Sequence, residues 1–455
     1  MSIAPCSAAG RDWLSRQFFG PLVCMAAFFL SGCATYSVGI ATVEQQTSNR
    51  DLDGALKSLD ELKLTGADQM LYYLNKGTLL HFQGDYSASN QQFEAAKSLM
   101  ERLSAVSLKE QTGSVVVNDT VKAYEGFPYE QLLIYAYEEL NYLQAGNVDE
   151  AAVEARQFDI KQRLVAGDNP SATYLSGAFV RYLNGMTYEE VGERDSARID
   201  FSKAVDGYEE QSSLTGFGVP ASLKADLDRM ENPQAMKRVT TARKSSGVEV
   251  QSPDLSNNGE VVFILNDGLG PTFAENIIHV ANPDPQHGAA IMSIAVPRFV
   301  QRPVPVASFE ISGGSGTATS ELVEDVNAIA RKSLDDRLPA ITARAVARMM
   351  VKNAIARKAK NQNGDSGTGL IISIVTDVGA IVTERADTRS WSLLPGNILM
   401  ARLVLPPGTH DLKVTYYDHS GNVLATREFD AVKVTAGRRV FMSDYYLWPA
   451  RPHRK

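Results

Sequence analysis

Cys33 is the residue of this chain whose position best suits a chemical reaction. It follows an apolar run from Phe18 to Leu30 and two small residues, Ser31 and Gly32. The run is shorter than the roughly 20 residues that cross a bilayer as a helix, and its length is typical of the apolar part of a secretion signal. A thiol reacts as a nucleophile through its thiolate. Cys33 is therefore a candidate acceptor for a transferred group.

The string Leu30-Ser31-Gly32-Cys33 resembles the lipobox of bacterial lipoproteins. The resemblance implies that the Cys33 thiol receives a diacylglyceryl group and that a peptidase removes residues 1–32 as a signal peptide. It also implies that the new amino terminus is acylated, for instance with palmitate. Two or more acyl chains anchor a protein stably to a bilayer. The small and polar residues that follow predict a lipidated tether over 33–50.

The residue after the cysteine bears on the destination. Ala34 stands where an aspartate would favour retention in the inner membrane. We therefore expect the outer membrane, with the protein on its periplasmic face, and the inner membrane and the cell surface remain alternatives. Cys6 and Cys24 lie in the predicted signal peptide, so maturation leaves no free thiol, which suits an oxidising periplasm.

The other residue types that carry chemistry form no recognisable site in the sequence. None of the six histidines has a metal-ligand neighbour at the usual spacing, and no nucleophile elbow or phosphate-binding loop occurs. Two carboxylates at free sequence spacing suffice for a glycosidase, so an envelope glycan hydrolase stays the least favoured alternative. We predict no catalytic residue, no cofactor and no metal site.

The composition is that of a globular protein with a modest negative charge. Hydrophobic residues make up 44% and charged residues 22% of the 455 residues, and the formal net charge is −8. A chain of this length usually folds into more than one domain. Because the charge gives no general attraction to nucleic acid, we expect no nucleic-acid partner.

Residues 51–232 have helical spacing and an internal repeat. Two windows share the same offsets between their small and aromatic residues. They contain Gly77, Leu80, Gly84, Ser89, Phe93 and Ala96 in the first, and Gly185, Tyr188, Gly192, Ala197, Phe201 and Ala204 in the second. Glycine lets paired helices approach closely and adopts the positive φ of a tight turn. The pattern predicts stacked helical hairpins, because one hairpin cannot bury its apolar face alone.

These offsets resemble those of the tetratricopeptide repeat. The turn glycines Gly84, Gly146 and Gly192 are unevenly spaced, so the array departs from that family by insertions. The resemblance implies a concave groove that binds peptides or proteins, with other envelope proteins as the partners. The alternative is that the helices only support the second half of the chain.

The second half is predicted to be rich in strands. A polar stretch over 233–259 predicts a linker, and residues 260–455 contain short alternating runs separated by turn residues. We predict strands at Glu260–Asn266, Ile277–Val280, Ala289–Val296, Leu370–Val375, Asn397–Leu405, His410–Asp418, Val423–Phe429 and Arg439–Ser443. Helical spacing over 320–360 predicts an insertion of two helices, Ser320 to Lys332 and Pro339 to Lys360.

The predicted fold is therefore α+β and multidomain. A domain of tetratricopeptide-like helical repeats comes first, and a β-rich, sandwich-like domain with inserted helices follows. The second inserted helix carries a candidate basic surface made of Arg344, Arg348, Lys352 and Arg357. Such a stripe could bind anionic lipid headgroups; the alternative, which we favour, is a solvated face on a helix packed against the sheet.

Several strings look like those of an uncharacterised family of proteobacterial lipoproteins with tetratricopeptide-like helices. They include Phe127-Pro128-Tyr129-Glu130, Asn266-Asp267-Gly268-Leu269-Gly270-Pro271 and Ala386-Asp387-Thr388-Arg389-Ser390-Trp391. The resemblance supports the lipoprotein and repeat predictions but brings no activity with it. We predict a membrane-anchored periplasmic lipoprotein that acts as a protein-binding scaffold or adaptor in a cell-envelope complex. The alternative is a cell-wall or polysaccharide binding protein.

Overall fold

The computed structural model describes residues 32–110, 122–167, 172–231, 255, 257–281, 291–314, 316–363 and 385–447. Within these ranges the protein is α+β, with helices in the first half and β-sheets in the second. We call residues 32–231 the helical half and residues 257–447 the β half. The predicted signal peptide apart from Gly32, most of the predicted linker and the predicted strand Leu370–Val375 lie outside the described residues.

Nine α-helices are described in the helical half and one in the β half. They are α1 Gly32–Ser48, α2 Leu52–Glu61, α3 Gln69–Gln83, α4 Tyr86–Glu110, α5 Pro128–Gln144, α6 Val148–Ala166, α7 Ala178–Glu190, α8 Arg194–Thr215, α9 Ala221–Glu231 and α10 Val326–Asn363. Helices α3 and α4, α5 and α6, and α7 and α8 pack against each other as consecutive pairs. This arrangement agrees with the predicted helical hairpins.

Two of these pairs approach closely at a glycine. A Cβ atom on Gly77 would lie 2.6 Å from the ring of Phe93, and a Cβ atom on Gly185 would lie 2.4 Å from the ring of Phe201. Both distances are shorter than carbon atoms tolerate, so a larger residue would push the helices apart. Gly84 ends α3 with a φ of +84°, as expected for a turn glycine.

Ten strands form three sheets in the described part of the β half. The strands are β1 Gly259–Asp267, β2 Thr272–Ala281, β3 Ile291–Val300, β4 Ser308–Gly313, β5 Gly316–Thr319, β6 Glu321–Asp325, β7 Asn397–Leu405, β8 Gly408–Tyr417, β9 Val423–Val434 and β10 Arg439–Tyr446. The central sheet has the order β10-β1-β7-β6, the outer sheet has the order β5-β4-β8-β9, and β2 pairs with β3 as a hairpin. Strands β1 and β10 run parallel.

The central sheet lies between the helices and the outer sheet, and its residues alternate between the two sides. Val262 and Ile264 of β1 belong to the hydrophobic core shared with the helices. Val261 and Phe263 belong to a second core, which they share with Phe309 and other residues of the outer sheet. Side chains of successive strand residues point to opposite faces, so β1 is apolar on both sides.

The β2–β3 hairpin packs on the long helix α10. Met292 and Ile294 of β3 form a third apolar cluster with Ala345 and Met349 of α10. Two sequence predictions fail here. The predicted helix from Ser320 to Lys332 begins instead as strand β6, and α10 then continues through Pro339 without a break. Proline removes one helix hydrogen bond, but the helix runs on through Pro339, which is exposed.

The predicted tether over 33–50 is also wrong, because this segment forms helix α1. Tyr36, Ile40 and Val43 are buried, and Thr47 donates its hydroxyl to the Val43 carbonyl at 2.7 Å. Their spacing of three or four residues places them on one helix face. The small and polar residues between them led to the prediction of a tether, although the buried stripe was already visible in the sequence.

Candidate functional site

Helix α1 brings the predicted lipidation site next to the folded body. Cys33 is the second residue of the helix, and Tyr36 is buried three residues later. At 1.5 Å per residue, about 4.5 Å of helix axis separates them. The Tyr36 hydroxyl donates to the Ser390 carbonyl at 3.1 Å and lies 3.0 Å from Ser392 Oγ. Burial raises the pKa of Tyr36 well above its usual value.

Two ion pairs fix the rest of the α1 region to the β half. Arg302 lies 2.7 Å from the Glu44 carboxylate and also donates to the Ser392 carbonyl at 2.7 Å. Just after the helix, Arg50 lies 2.8 Å from the Asp444 carboxylate. The first contact that holds α1 against the β half therefore lies within about one helical turn of residue 33.

The loop around Trp391 occupies the side of the helices that faces the central sheet. The Trp391 indole N–H donates to Thr78 Oγ1 of α3 at 2.9 Å. The Leu393 amide donates to Asn75 Oδ1 at 3.1 Å, and the Tyr137 hydroxyl of α5 donates to Asn266 Oδ1 of β1 at 2.9 Å. The side of the helices that faces the central sheet is therefore occupied by the β half of the same chain.

Two of the strings picked out in the sequence meet at Glu130. Its carboxylate accepts the Trp391 amide and the Phe127 amide, each at 2.8 Å, and the Tyr124 hydroxyl. Burial raises the pKa of Glu130, and these hydrogen bonds oppose the rise. Glu130 therefore joins the start of α5 to the Trp391 loop, which is an architectural role.

A buried network of charges joins α7 and α9 to the central sheet. Arg402 of β7 pairs with Asp226 and, at 2.7 Å, with Glu260. Arg439 of β10 pairs with Glu260 at 2.8 Å and with Glu189 at 2.7 Å. Burial alone would raise the pKa of Asp226, but the surrounding arginine charges hold it below its usual value. The signal in the sequence was Arg402, the single charged residue of the otherwise largely apolar strand β7.

A second charge cluster, buried except for Glu94, lies among α4, α5 and α6. The Lys97 ammonium lies 2.8 Å from Glu94, 2.7 Å from Glu138 and 2.8 Å from Glu154. The three carboxylates are close enough together to hold a metal ion, and Lys97 supplies a positive charge among them. Burial raises the pKa of Glu138 well above its usual range, against the opposing effect of the Lys97 charge.

Only part of the candidate basic surface is exposed to solvent. Arg344 is exposed on α10, but Arg348 is buried and has a partner. The side chains of Lys352 and Arg357 lie outside the described part of the chain, although both residues belong to α10. The spacing therefore does not place Arg344 and Arg348 in one exposed stripe, because the hairpin packs beside that part of the helix.

An aliphatic stripe that the sequence analysis missed lies on α6. Val153, Ile160 and Leu164 are 46%, 62% and 73% exposed. Their spacing of seven and four residues places them on one face of the helix. Ala155 and Phe158 of the same helix are buried, so the stripe points away from the core.

The known proteins give no further guide to this site. No protein family, curated protein or solved structure matches the chain. Among the helices of the described ranges, none is long and apolar enough to cross a membrane.

Proposed function

We propose that the chain is a lipid-anchored lipoprotein of the bacterial cell envelope that acts as a binding scaffold. The observation that supports this most strongly is the docking of α1. The helix that carries Cys33 is bonded to the β half through Tyr36 and through the Glu44–Arg302 pair. Lipids on Cys33 would hold the whole body in a limited range of orientations at the membrane surface. We favour the periplasmic face of the outer membrane and assign no catalytic step and no cofactor.

The outer side of the helical half is the surface that we assign to a partner protein. The inner side already holds the Trp391 loop and the central sheet. The exposed stripe of Val153, Ile160 and Leu164 suits the apolar face of an amphipathic helix. Within this proposal the helical pairs are tetratricopeptide-like, but they present their outer rather than their concave side.

Site-specific photocrosslinking in intact cells tests the scaffold proposal. A crosslinker at Ile160 should capture a discrete envelope protein, whereas one at Val423 should not. These two aliphatic residues are a matched pair, because they are 62% and 60% exposed and lie on α6 and β9. Equal capture at both positions, or capture at neither, would contradict the assignment of the stripe. Replacing Leu164 with Ser should abolish the Ile160 crosslink and leave the yield of folded protein unchanged.

A further inference from the structure

Charged residues of opposite sign flank the two ends of the α6 stripe. Asp149 and Glu150 lie exposed in the first turn of α6, at the beginning of the stripe. Lys161 and Arg163 lie at its other end, and the Arg163 side chain is 71% exposed. At 3.6 residues per turn, all four residues lie within about a quarter turn of the stripe. The outer face of α6 therefore has an acidic end, an aliphatic middle and a basic end.

This face is complementary to a second copy of itself. When two copies of α6 lie side by side in opposite directions, the acidic end of each helix meets the basic end of the other. Parallel helices would bring like charges together, which is unfavourable. A contact between one surface and the same surface of another copy has twofold symmetry, so each favourable pair forms twice. One chain thus supplies both sides of the interface.

The sequence spacing aligns the aliphatic pairs with the ion pairs. Glu150 precedes Val153 by three positions, and Arg163 follows Ile160 by three positions. In antiparallel helices, pairing Val153 with Ile160 of the second copy therefore also pairs Glu150 with Arg163 of that copy. In this register Leu164 of the second copy lies about one helical turn from Val153 and extends the aliphatic contact.

The neighbouring register is less favourable. It would pair Val153 with Leu164 of the second copy. Arg156 follows Val153 by three positions and Lys161 precedes Leu164 by three positions. Arg156 would therefore lie opposite Lys161 of the second copy, and these like charges repel each other.

We propose that two copies of this chain associate through the α6 stripe as antiparallel helices, in the register that pairs Glu150 with Arg163. This rests on the proposed function, because it names a second copy as the partner of the stripe. The contact is small, since a standard interface contains roughly 20–30 residues on each side. Purified copies should therefore associate weakly. Lipids on Cys33 would hold several copies at one membrane surface and raise their local concentration.

Photocrosslinking between two tagged copies in intact cells tests the identity and the direction of the partner. Two forms of the full chain carry different epitope tags, and one of them carries a photoreactive residue in place of Ile160. We expect a product that contains both tags, with the link mapped by mass spectrometry to within about one helical turn of Val153 of the second copy. A link to Ile160 of the second copy would indicate parallel helices and would overturn the proposal.

The same experiment separates this inference from the scaffold proposal. Capture of a different protein at Ile160, without the product that contains both tags, would overturn the second copy as the partner and leave a scaffold function standing. Capture of no protein would overturn both.

Exchanging the charges of one pair tests the register. Glu150→Arg and Arg163→Glu each bring like charges together, so each alone should reduce the product with both tags about fivefold or more. The variant with both substitutions should restore most of the yield, and Lys433→Glu, a control at an exposed position of β9, should leave it unchanged. Loss of the Arg163–Asp159 pair does not explain such a result, because the double variant lacks this pair too. An unchanged yield in either single variant, or no recovery in the double variant, would overturn the proposal.

Discussion

Removing the carboxylate of Asp226 is expected to weaken the attachment of the helical half to the β half. Its side chain is fully buried and pairs with Arg402 of the central sheet and with Arg229 of its own helix. In Asp226→Ala, Arg402 keeps only its pair with Glu260. One positive charge is then buried without full compensation.

The size of the effect follows from this change. Deleting one partner of a buried ion pair costs roughly 3–5 kcal/mol. Because Glu260 remains beside Arg402, we expect a loss near the lower limit, about 3 kcal/mol in the free energy of unfolding. Asp60→Ala is the matched control, since Asp60 also forms an ion pair but its side chain is 50% exposed. An exposed pair contributes about 0–1 kcal/mol.

Urea denaturation followed by circular dichroism measures both variants. The native chain should unfold in one transition, because the helices and the central sheet share one hydrophobic core. Asp226→Ala should lower the midpoint without splitting the transition. A loss below 1 kcal/mol would refute the energetic role of the network, and two separate transitions in the native chain would refute the coupling of the halves.

Two further predictions concern buried charges. Burial raises the pKa of Asp267 to about 8, so the folded state binds this proton more tightly than the unfolded state and stability falls as pH rises from about 4 to 8. Each unit of pH in this window costs about 1.4 kcal/mol, so the gain from Asp267→Asn should be roughly 3–4 kcal/mol larger at pH 8 than at pH 5, and equal gains would contradict this. Lys97→Met leaves the Glu138 and Glu154 carboxylates uncompensated. It should lower the melting temperature more at pH 8 than at pH 5, because the raised pKa of Glu138 lets that carboxylate take up a proton at the lower pH. A loss as small as that of Lys76→Met would contradict this.

The local packing of the helices was predictable because it depends on residue size at fixed spacing. Gly77 and Gly185 each leave space for a large side chain of the neighbouring helix. Phe93 follows Gly77 at the same sequence distance as Phe201 follows Gly185. Most strands of the β half also followed from alternation and turn residues, with boundaries that shifted by a few residues. Strands β4, β5 and β6 were not predicted. Strand β6, Glu321–Asp325, continues into a helix without a turn signal.

The contacts between the halves were not predictable from one sequence. Trp391 and Thr78 form a hydrogen bond although 313 positions separate them in the sequence. A periodic sequence pattern gives no information about contacts between residues so far apart in the chain. The same holds for an open cavity at the start of α10, which residues from four separate segments line. Helix α1 is a different case, because the stripe of Tyr36, Ile40 and Val43 was present in the sequence and the polar residues around it concealed it.

Mass spectrometry of the protein purified from membranes tests the central claim most directly. We predict that the amino-terminal peptide begins at Cys33 and carries the added mass of a diacylglyceryl group and an acyl chain. Cys33→Ala should retain residues 1–32 and lose the lipid. An amino-terminal peptide that lacks lipid, or one that begins at another residue, would contradict the account of an anchor placed directly on α1.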